Sequence, residues 1–120
     1  MAEYQLGNIE SRFADIIWQN EPVASAELIK MSGAELNWKK STTYTVLKRL
    51  CDKGIFKNDG GIVTSLISRE EFYAIQSEKY VSDNFNGSLP AFLAAFTARK
   101  KLSESEVEQL KRMVAEYEEK

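Results

Sequence analysis

The order of local patterns along the chain, three short helical segments followed by one tight hairpin, restricts its fold most strongly. The hairpin is marked by the tetrapeptide Asn58-Asp59-Gly60-Gly61, which separates two short runs with strand character, residues 55–57 and 62–67. Asp and Gly tolerate positive φ angles, so the tetrapeptide predicts a tight turn between antiparallel strands. Elsewhere proline and glycine are sparse, and we therefore expect helices to dominate.

Two helical patterns open the chain. The first covers about residues 8–20, with Asn8 as the expected N-cap, and Pro22 stops it because proline disfavours helical geometry in the residue before it. Ser25 is expected to cap the second helix, and Gly33 is expected to end it.

The third helical pattern runs from about Ser41 to Lys53, and Gly54 follows as a C-terminal stop. Its apolar face consists of Thr43, Val46, Leu47 and Leu50. Three helices and a hairpin in this order predict a winged helix-turn-helix over residues 1–68, in a chain that is mainly α with a small β-hairpin wing. On pattern alone, a small α+β core without this specific arrangement is the alternative.

Residues 69–120 have a different character, because three helical patterns follow without any strand for them to cover. The last is marked by a capping box of Ser103 and Glu106. We expect these helices to form a dimerisation region that buries its apolar residues against a second copy of the chain; the alternative is that they fold back on the first domain. The predicted dimerisation residues are Phe72, Ile75, Phe92, Phe96, Leu102, Val107, Leu110, Val114 and Tyr117.

Charge is concentrated around the third helix. The chain has 16 basic and 18 acidic residues and a net charge of −2, which excludes a polybasic tail but not nucleic-acid binding. Residues 37–57 hold six cationic side chains and only one acidic one, Asp52. Hydroxyl and cationic groups on one side of a helix suit base edges and phosphates in a major groove. A solvated helix face is the alternative.

Composition excludes several kinds of chemistry. The chain has no histidine and one cysteine, Cys51. A His-dependent catalytic triad, a His-ligated metal site and an internal disulfide are therefore ruled out, and one thiol falls short of a structural zinc site. We predict that the chain is not an enzyme and uses no cofactor or metal. Without a signal or spanning segment, it is expected in the cytoplasm.

The stretch from Trp38 to Gly54 resembles the DNA-recognition block of the penicillinase-repressor (BlaI/MecI/CopY) family. The positions that match without a gap are Trp38, Thr42, Thr45, Leu47, Arg49, Leu50, Lys53 and Gly54. Lys39 replaces the family's usual Ser, and Thr43 replaces its usual Val. Glu10 and Trp18 in the first helix match as well, and the similarity extends over essentially the whole chain.

The resemblance implies a homodimeric winged-helix repressor that binds a palindromic, double-stranded DNA operator, with resistance or stress-response genes as a hypothesis for what it controls. Together with the cationic segment, it implies a set of DNA-contact residues: Lys39, Lys40, Ser41, Thr42, Tyr44, Thr45, Lys48 and Arg49. Trp38 is expected to be a structural anchor. Arg49 has an alternative role, an ion pair with an acid of the first or second helix.

Departures from the family pattern limit what is transferred. The wing has no Arg or Lys at its tip and no Tyr on its returning strand, so we expect weak wing contact with DNA. The C-terminal cysteine cluster of the copper-responsive branch is missing. Inactivation by a membrane-bound sensor protease, as in the β-lactam-responsive branch, would correspond to cleavage between Ala95 and Phe96, although the family's Asn before the cut is absent. A rival interpretation is a winged-helix protein-interaction module without DNA binding.

Overall fold

The structure, a computed structural model, describes residues 6–119. Within that range the chain forms six α-helices and three short β-strands: α1 (Asn8–Asn20), β1 (Val23–Ala24), α2 (Ser25–Leu36), α3 (Lys40–Asp52), β2 (Phe56–Asp59), β3 (Ile62–Ser65), α4 (Arg69–Phe85), α5 (Leu89–Arg99) and α6 (Glu104–Glu118). The strands form one antiparallel sheet in the order β1-β3-β2. The predicted fold class, mainly α with a β-hairpin wing, is confirmed.

Three predicted helix ends differ from the observed ones. Ser25 does not cap α2 but is its first helical residue, and the N-cap is Ala24. The N-cap of α1 is Gly7, and Asn8 is already the first helical residue. Gly33 does not end α2, which continues to Leu36. The stop is supplied by Asn37, whose φ of 57° is left-handed and whose N–H donates to the carbonyl of Ser32. Asparagine tolerates the left-handed conformation, and this conformation lets a backbone N–H satisfy a carbonyl at the C-terminal end of the helix.

The sheet contains one strand that the sequence pattern did not indicate. β1 is only two residues long, too short for any periodicity, and it exists because Val23 and Ala24 pair with Val63 and Ile62 of β3. The hairpin of β2 and β3 turns at Gly60 and Gly61 as predicted, with φ angles of 61° and 92°.

The described chain divides into two compact units, one ending at Ser77 and the other beginning at Glu78. The N-terminal unit has a continuous apolar core built from α1, α2, α3, the sheet and the beginning of α4. Trp18 of α1 lies at its edge, with ring centroids 5.1 Å from Phe56 and 5.4 Å from Phe72. The indole N–H of Trp18 also donates to the carbonyl of Ile67 over 3.0 Å.

The beginning of α4 belongs to this core, which corrects part of the predicted dimerisation set. Phe72 is 1% exposed within the protomer, and Ile75 packs against the same cluster. A buried side chain cannot contact a second copy of the chain. Phe72 is therefore removed from the predicted dimerisation residues. The N-terminal compact unit is thus longer than the predicted segment 1–68, because the winged helix uses the first two turns of α4 as a cover.

The C-terminal unit contains well-capped helices but little burial. The hydroxyl of Ser88 accepts the N–H of Ala91 at the start of α5 over 3.1 Å. At the start of α6, Ser103 and Glu106 form the predicted capping box, with bonds of 2.9 and 3.0 Å. Within the described range no side chain of α5 or α6 is buried.

Candidate nucleic-acid interface

The candidate interface begins at the turn that joins α2 to α3. Asn37 closes α2, and Lys39 is the N-cap of α3. Between them Trp38 is half-buried, with its ring centroid 5.1 Å from that of Phe13 in α1. The large indole therefore holds the turn against the core, in agreement with the structural role predicted for Trp38.

One face of α3 is buried as predicted, by Thr43, Val46, Leu47 and Leu50. The polar member of this face has a partner, because the hydroxyl of Thr43 lies 2.7 Å from that of Ser32 in α2. Ser32 also donates to the carbonyl of Leu28. Both hydroxyls are buried, and such groups are stable in a core only when their hydrogen bonds are made. This pair therefore fixes how α3 lies against α2.

The other face of α3, with the residue before it, is exposed to solvent. All eight residues predicted to contact DNA lie on this surface: Lys39, Lys40, Ser41, Thr42, Tyr44, Thr45, Lys48 and Arg49. The hydroxyl of Thr45 bonds back to the carbonyl of Ser41, and the Tyr44 ring is 40% exposed. We call these eight residues the α3 surface. It offers hydroxyl groups, one aromatic ring and four cations.

The four cations of the α3 surface have different surroundings. Lys48 lies 3.5 Å from Asp52, four residues later on the same helix. Arg49 lies 3.3 Å from Glu10 of α1, which is the alternative that the sequence left open for it. Within residues 6–119, neither Lys39 nor Lys40 forms an ion pair. The cationic groups without an acidic partner thus stand at the N-terminal end of α3.

The wing is held in place but carries little charge. The side-chain oxygen of Asn58 accepts the N–H of Gly61 over 3.0 Å, and the carbonyl of Gly61 accepts the N–H of Ser25. Lys57 and Asp59 are both exposed on β2. No cation stands at the tip, because the turn residues are both glycines.

A carboxylate that sequence reasoning missed joins α1 to the wing strand. Glu21 accepts the N–H of Ser65 of β3 over 2.7 Å. The hydroxyl of Ser65 lies 2.8 Å from both carboxylate oxygens of Glu21, so its single proton is shared between them. The position of Glu21 before Pro22 gave no indication of this contact in the sequence. Glu21 therefore ties the end of α1 to the wing strand β3.

The remaining predicted dimerisation residues lie in the C-terminal unit, apart from Ile75. Two shallow apolar grooves share Leu102 and Leu110; one is also lined by Phe92 and Phe96, and the other by Val107 and Val114. Tyr117 is 81% exposed. Ala95 and Phe96, the residues of the hypothetical cleavage site, are both exposed on α5.

The described residues contain no cluster of three or more His, Cys, Asp or Glu side chains that would hold a metal ion. Burial, followed by the charge of Asp52, raises the pKa of the Cys51 thiol above its ordinary value, which disfavours the thiolate form. Among residues 6–119, every helix is too short or too polar to span a bilayer.

The fold and the α3 surface define a winged helix-turn-helix protein with a helical C-terminal unit. The sequence model of the family described as Penicillinase repressor matches residues 6–116. The chain belongs to this family of transcriptional repressors, which are not enzymes, and the resemblance inferred from the block between Trp38 and Gly54 is confirmed.

The two relatives matched by sequence are distant but cover more than nine-tenths of the chain. The penicillinase repressor of Bacillus licheniformis is 24% identical over 117 residues, which span 94% of this chain and 91% of the relative. The methicillin resistance regulatory protein MecI of Mammaliicoccus sciuri is 23% identical over 115 residues, covering 92% and 94%. A solution structure of monomeric Bacillus licheniformis BlaI with the blaP half-operator is 25% identical, with a TM-score of 0.49, over 56% of this chain and 87% of that one.

Proposed function

We propose that the chain represses transcription by occupying a palindromic DNA operator as a homodimer, with α3 of each protomer in a major groove. The observation that carries this proposal is the two-sided character of α3. One side is fixed to the core by four buried residues, and the opposite side presents the eight polar, aromatic and cationic residues of the α3 surface. Membership in a family of repressors supports the same function.

The chemistry of the α3 surface suits duplex DNA. Hydroxyl groups such as those of Ser41 and Thr42 can bond base edges, while ammonium groups bind phosphates. The N-terminal end of α3 adds backbone N–H groups, and its first turn contains no acidic residue that would repel an anion. The N-terminal part of such a helix makes most base contacts, which matches the position of Ser41 and Thr42.

The proposed homodimer is supported by the uncovered helices of the C-terminal unit. Apolar grooves on α5 and α6 remain open in the protomer. A second copy would cover them, and a two-fold dimer presents the same patch from both sides. Two-fold symmetry then places the two α3 helices on half-sites about one helical turn, or a multiple, apart.

Release from DNA by a membrane-bound sensor protease stays a hypothesis. The bond between Ala95 and Phe96 lies inside α5, and a protease that binds extended chain needs this helix to open locally. Incubation with the sensor protease of the same organism tests it: a fragment ending at Ala95 would support cleavage there, and an intact chain would remove the hypothesis.

A mobility-shift titration against the DNA upstream of the chain's own gene tests the proposed function. Binding is expected to resist unrelated competitor DNA and to weaken steeply between two salt concentrations, because each phosphate contact releases a counterion. Equal affinity for unrelated DNA, or no shift at low salt, would contradict sequence-specific repression.

The rival function, a protein-interaction module without DNA binding, is favoured by one observation. The wing tip has no cation, and Asp59 at the end of β2 repels phosphate. The same titration separates the two functions, because an interaction module shifts no DNA at either salt concentration.

A further inference from the structure

The ion pair between Arg49 and Glu10 differs from the other contacts of the α3 surface because it joins two helices. Glu10 uses both carboxylate oxygens: Oε1 accepts the N–H of Gly7 over 3.2 Å, and Oε2 lies 3.3 Å from Nη1 of Arg49. The Glu10 side chain is only 19% exposed, while that of Arg49 is 53% exposed. A partly enclosed carboxylate at the start of α1 thus holds the later part of α3.

The electrostatics of Glu10 agree with this geometry. Burial raises the pKa of the Glu10 carboxyl, but the bonds from Gly7 and Arg49 and the charges of Lys53 and Arg49 lower it, and the net pKa lies below the ordinary value. Glu10 is therefore ionised at neutral pH, and removal of Arg49 would leave a partly buried negative charge with fewer partners.

The pair of Lys48 and Asp52 provides the contrast. Both side chains belong to α3 and are 80% and 68% exposed, so their contact cannot fix α3 against another element. Lys39 and Lys40 stand at the other end of the helix, about 14 Å from Arg49 at 1.5 Å per residue. Within residues 6–119, Lys39 and Lys40 thus make no ion pair, and Lys48 pairs only within its own helix. Among the four cations of the α3 surface, Arg49 is the one held by another helix.

We propose that Arg49 is a positioning residue, which sets the orientation of α3 through Glu10, and that Lys39 and Lys40 supply the phosphate contacts. This inference rests on the proposed function, because it assigns roles within a DNA-binding surface. It removes Arg49 from the DNA-contact residues that the family resemblance implies and adds Glu10 of α1 as its partner.

Salt dependence separates the two roles of a cation. Lys40→Gln is expected to lower the salt slope of operator binding by about one unit per protomer, as loss of one phosphate contact does. Arg49→Gln is expected to weaken binding about twofold to fivefold, the range of a partly exposed ion pair, with an unchanged slope. Lys79→Gln in α4, which also removes one positive charge, is the matched control and should leave both values unchanged.

Neutralising Glu10 gives opposite results for the two roles. If Arg49 positions α3, Glu10→Gln weakens operator binding by about the same factor as Arg49→Gln, twofold to fivefold. If Arg49 binds phosphate, the same change removes a competing carboxylate and strengthens binding. Glu27→Gln is the matched control, because Glu27 pairs with Lys30 on the same helix and its loss releases no cation of the α3 surface.

Charge reversal supplies the final test. Glu10→Arg and Arg49→Glu are each expected to weaken binding, and the double variant is expected to recover most of the loss because the pair forms again. Circular dichroism melting identifies any reversed variant that fails to fold, and in that case the two Gln variants decide.

The outcomes for the inference and for the proposed function are distinct. If the unmodified chain binds its upstream DNA but Arg49→Gln lowers the salt slope, or Glu10→Gln strengthens binding, only the positioning role is overturned. If the unmodified chain binds no DNA, the proposed function is overturned and the positioning role with it.

Discussion

The two compact units of this chain differ in how they use their apolar residues. In the described range, every buried apolar side chain lies between Phe13 and Phe72, in the N-terminal unit. The C-terminal unit exposes Tyr80, Leu89, Phe96, Met113, Val114 and Tyr117 instead. Its helices are as well capped as those of the first unit, so the difference lies in burial and not in local helix signals.

The difference follows from what each unit offers its helices to pack against. In the N-terminal unit, a three-stranded sheet, three helices and the beginning of α4 enclose one core. The C-terminal unit has only helices with apolar grooves on their surface. Contiguous exposed apolar surface usually marks an interaction site. The first unit is thus covered by its own residues, whereas the grooves of the second would be covered in the proposed homodimer.

The largest expected effect tests the first half of this comparison. Phe13 is fully buried, and Phe13→Ala should lower the free energy of unfolding by about 3–5 kcal/mol through a cavity in the core. Ile9→Ala, in the same helix but 47% exposed, is the control and should cost far less. Thermal unfolding followed by circular dichroism measures both. Similar losses in the two variants would contradict the position of the core.

The next largest effect tests whether the apolar grooves of the C-terminal unit form the proposed dimer interface. Leu110→Asp places a charge in both apolar grooves and should raise the dimer dissociation constant by about 100-fold or more, since the charge is desolvated in each copy. Operator binding should fall with it. Sedimentation equilibrium measures the association.

Ser105→Asp serves as the control for Leu110→Asp, because it adds the same charge to α6 outside the grooves. It should leave the dimer intact. A monomeric unmodified chain, or equal dissociation of both variants, would refute a dimer built on these grooves.

The smallest effect concerns the buried hydroxyl pair, which has no counterpart in the uncovered α5 and α6. Thr43→Val removes the partner of Ser32 while keeping the shape, and should cost about 1 kcal/mol of stability. The double variant Thr43→Val with Ser32→Ala should lose less stability than the sum of the losses in the two single variants. A double-mutant cycle in urea measures the coupling, and strict additivity would show that the two hydroxyls do not interact.

Local signals predicted the elements that carry the candidate interface. The buried face of α3, the turn at Gly60 and Gly61, and the capping box of Ser103 and Glu106 were predicted, because each depends on residues a few positions apart. Helical periodicity predicted the exposure of Ser41, Thr45 and Lys48, opposite the apolar face of α3. The other members of the α3 surface came from the charge cluster and from the family resemblance.

Contacts between distant residues were harder to predict. Phe72 has the sequence pattern of an apolar stripe on a surface helix. In the structure it is buried instead, because it covers the edge of the N-terminal core. The two-residue strand β1 depends on β3, some forty positions later. Glu10 lies 39 residues from Arg49, and Glu21 lies 44 from Ser65, distances at which spacing carries no information.

The sequence by itself determined the helices, the hairpin and the family, because caps, turns and hydrophobic periods act within a few residues. Only the tertiary structure decided which apolar residues are covered and which cation of the α3 surface is held by the protein. Burial and ion pairing depend on which elements meet in space, and that is set by the packing of the whole core.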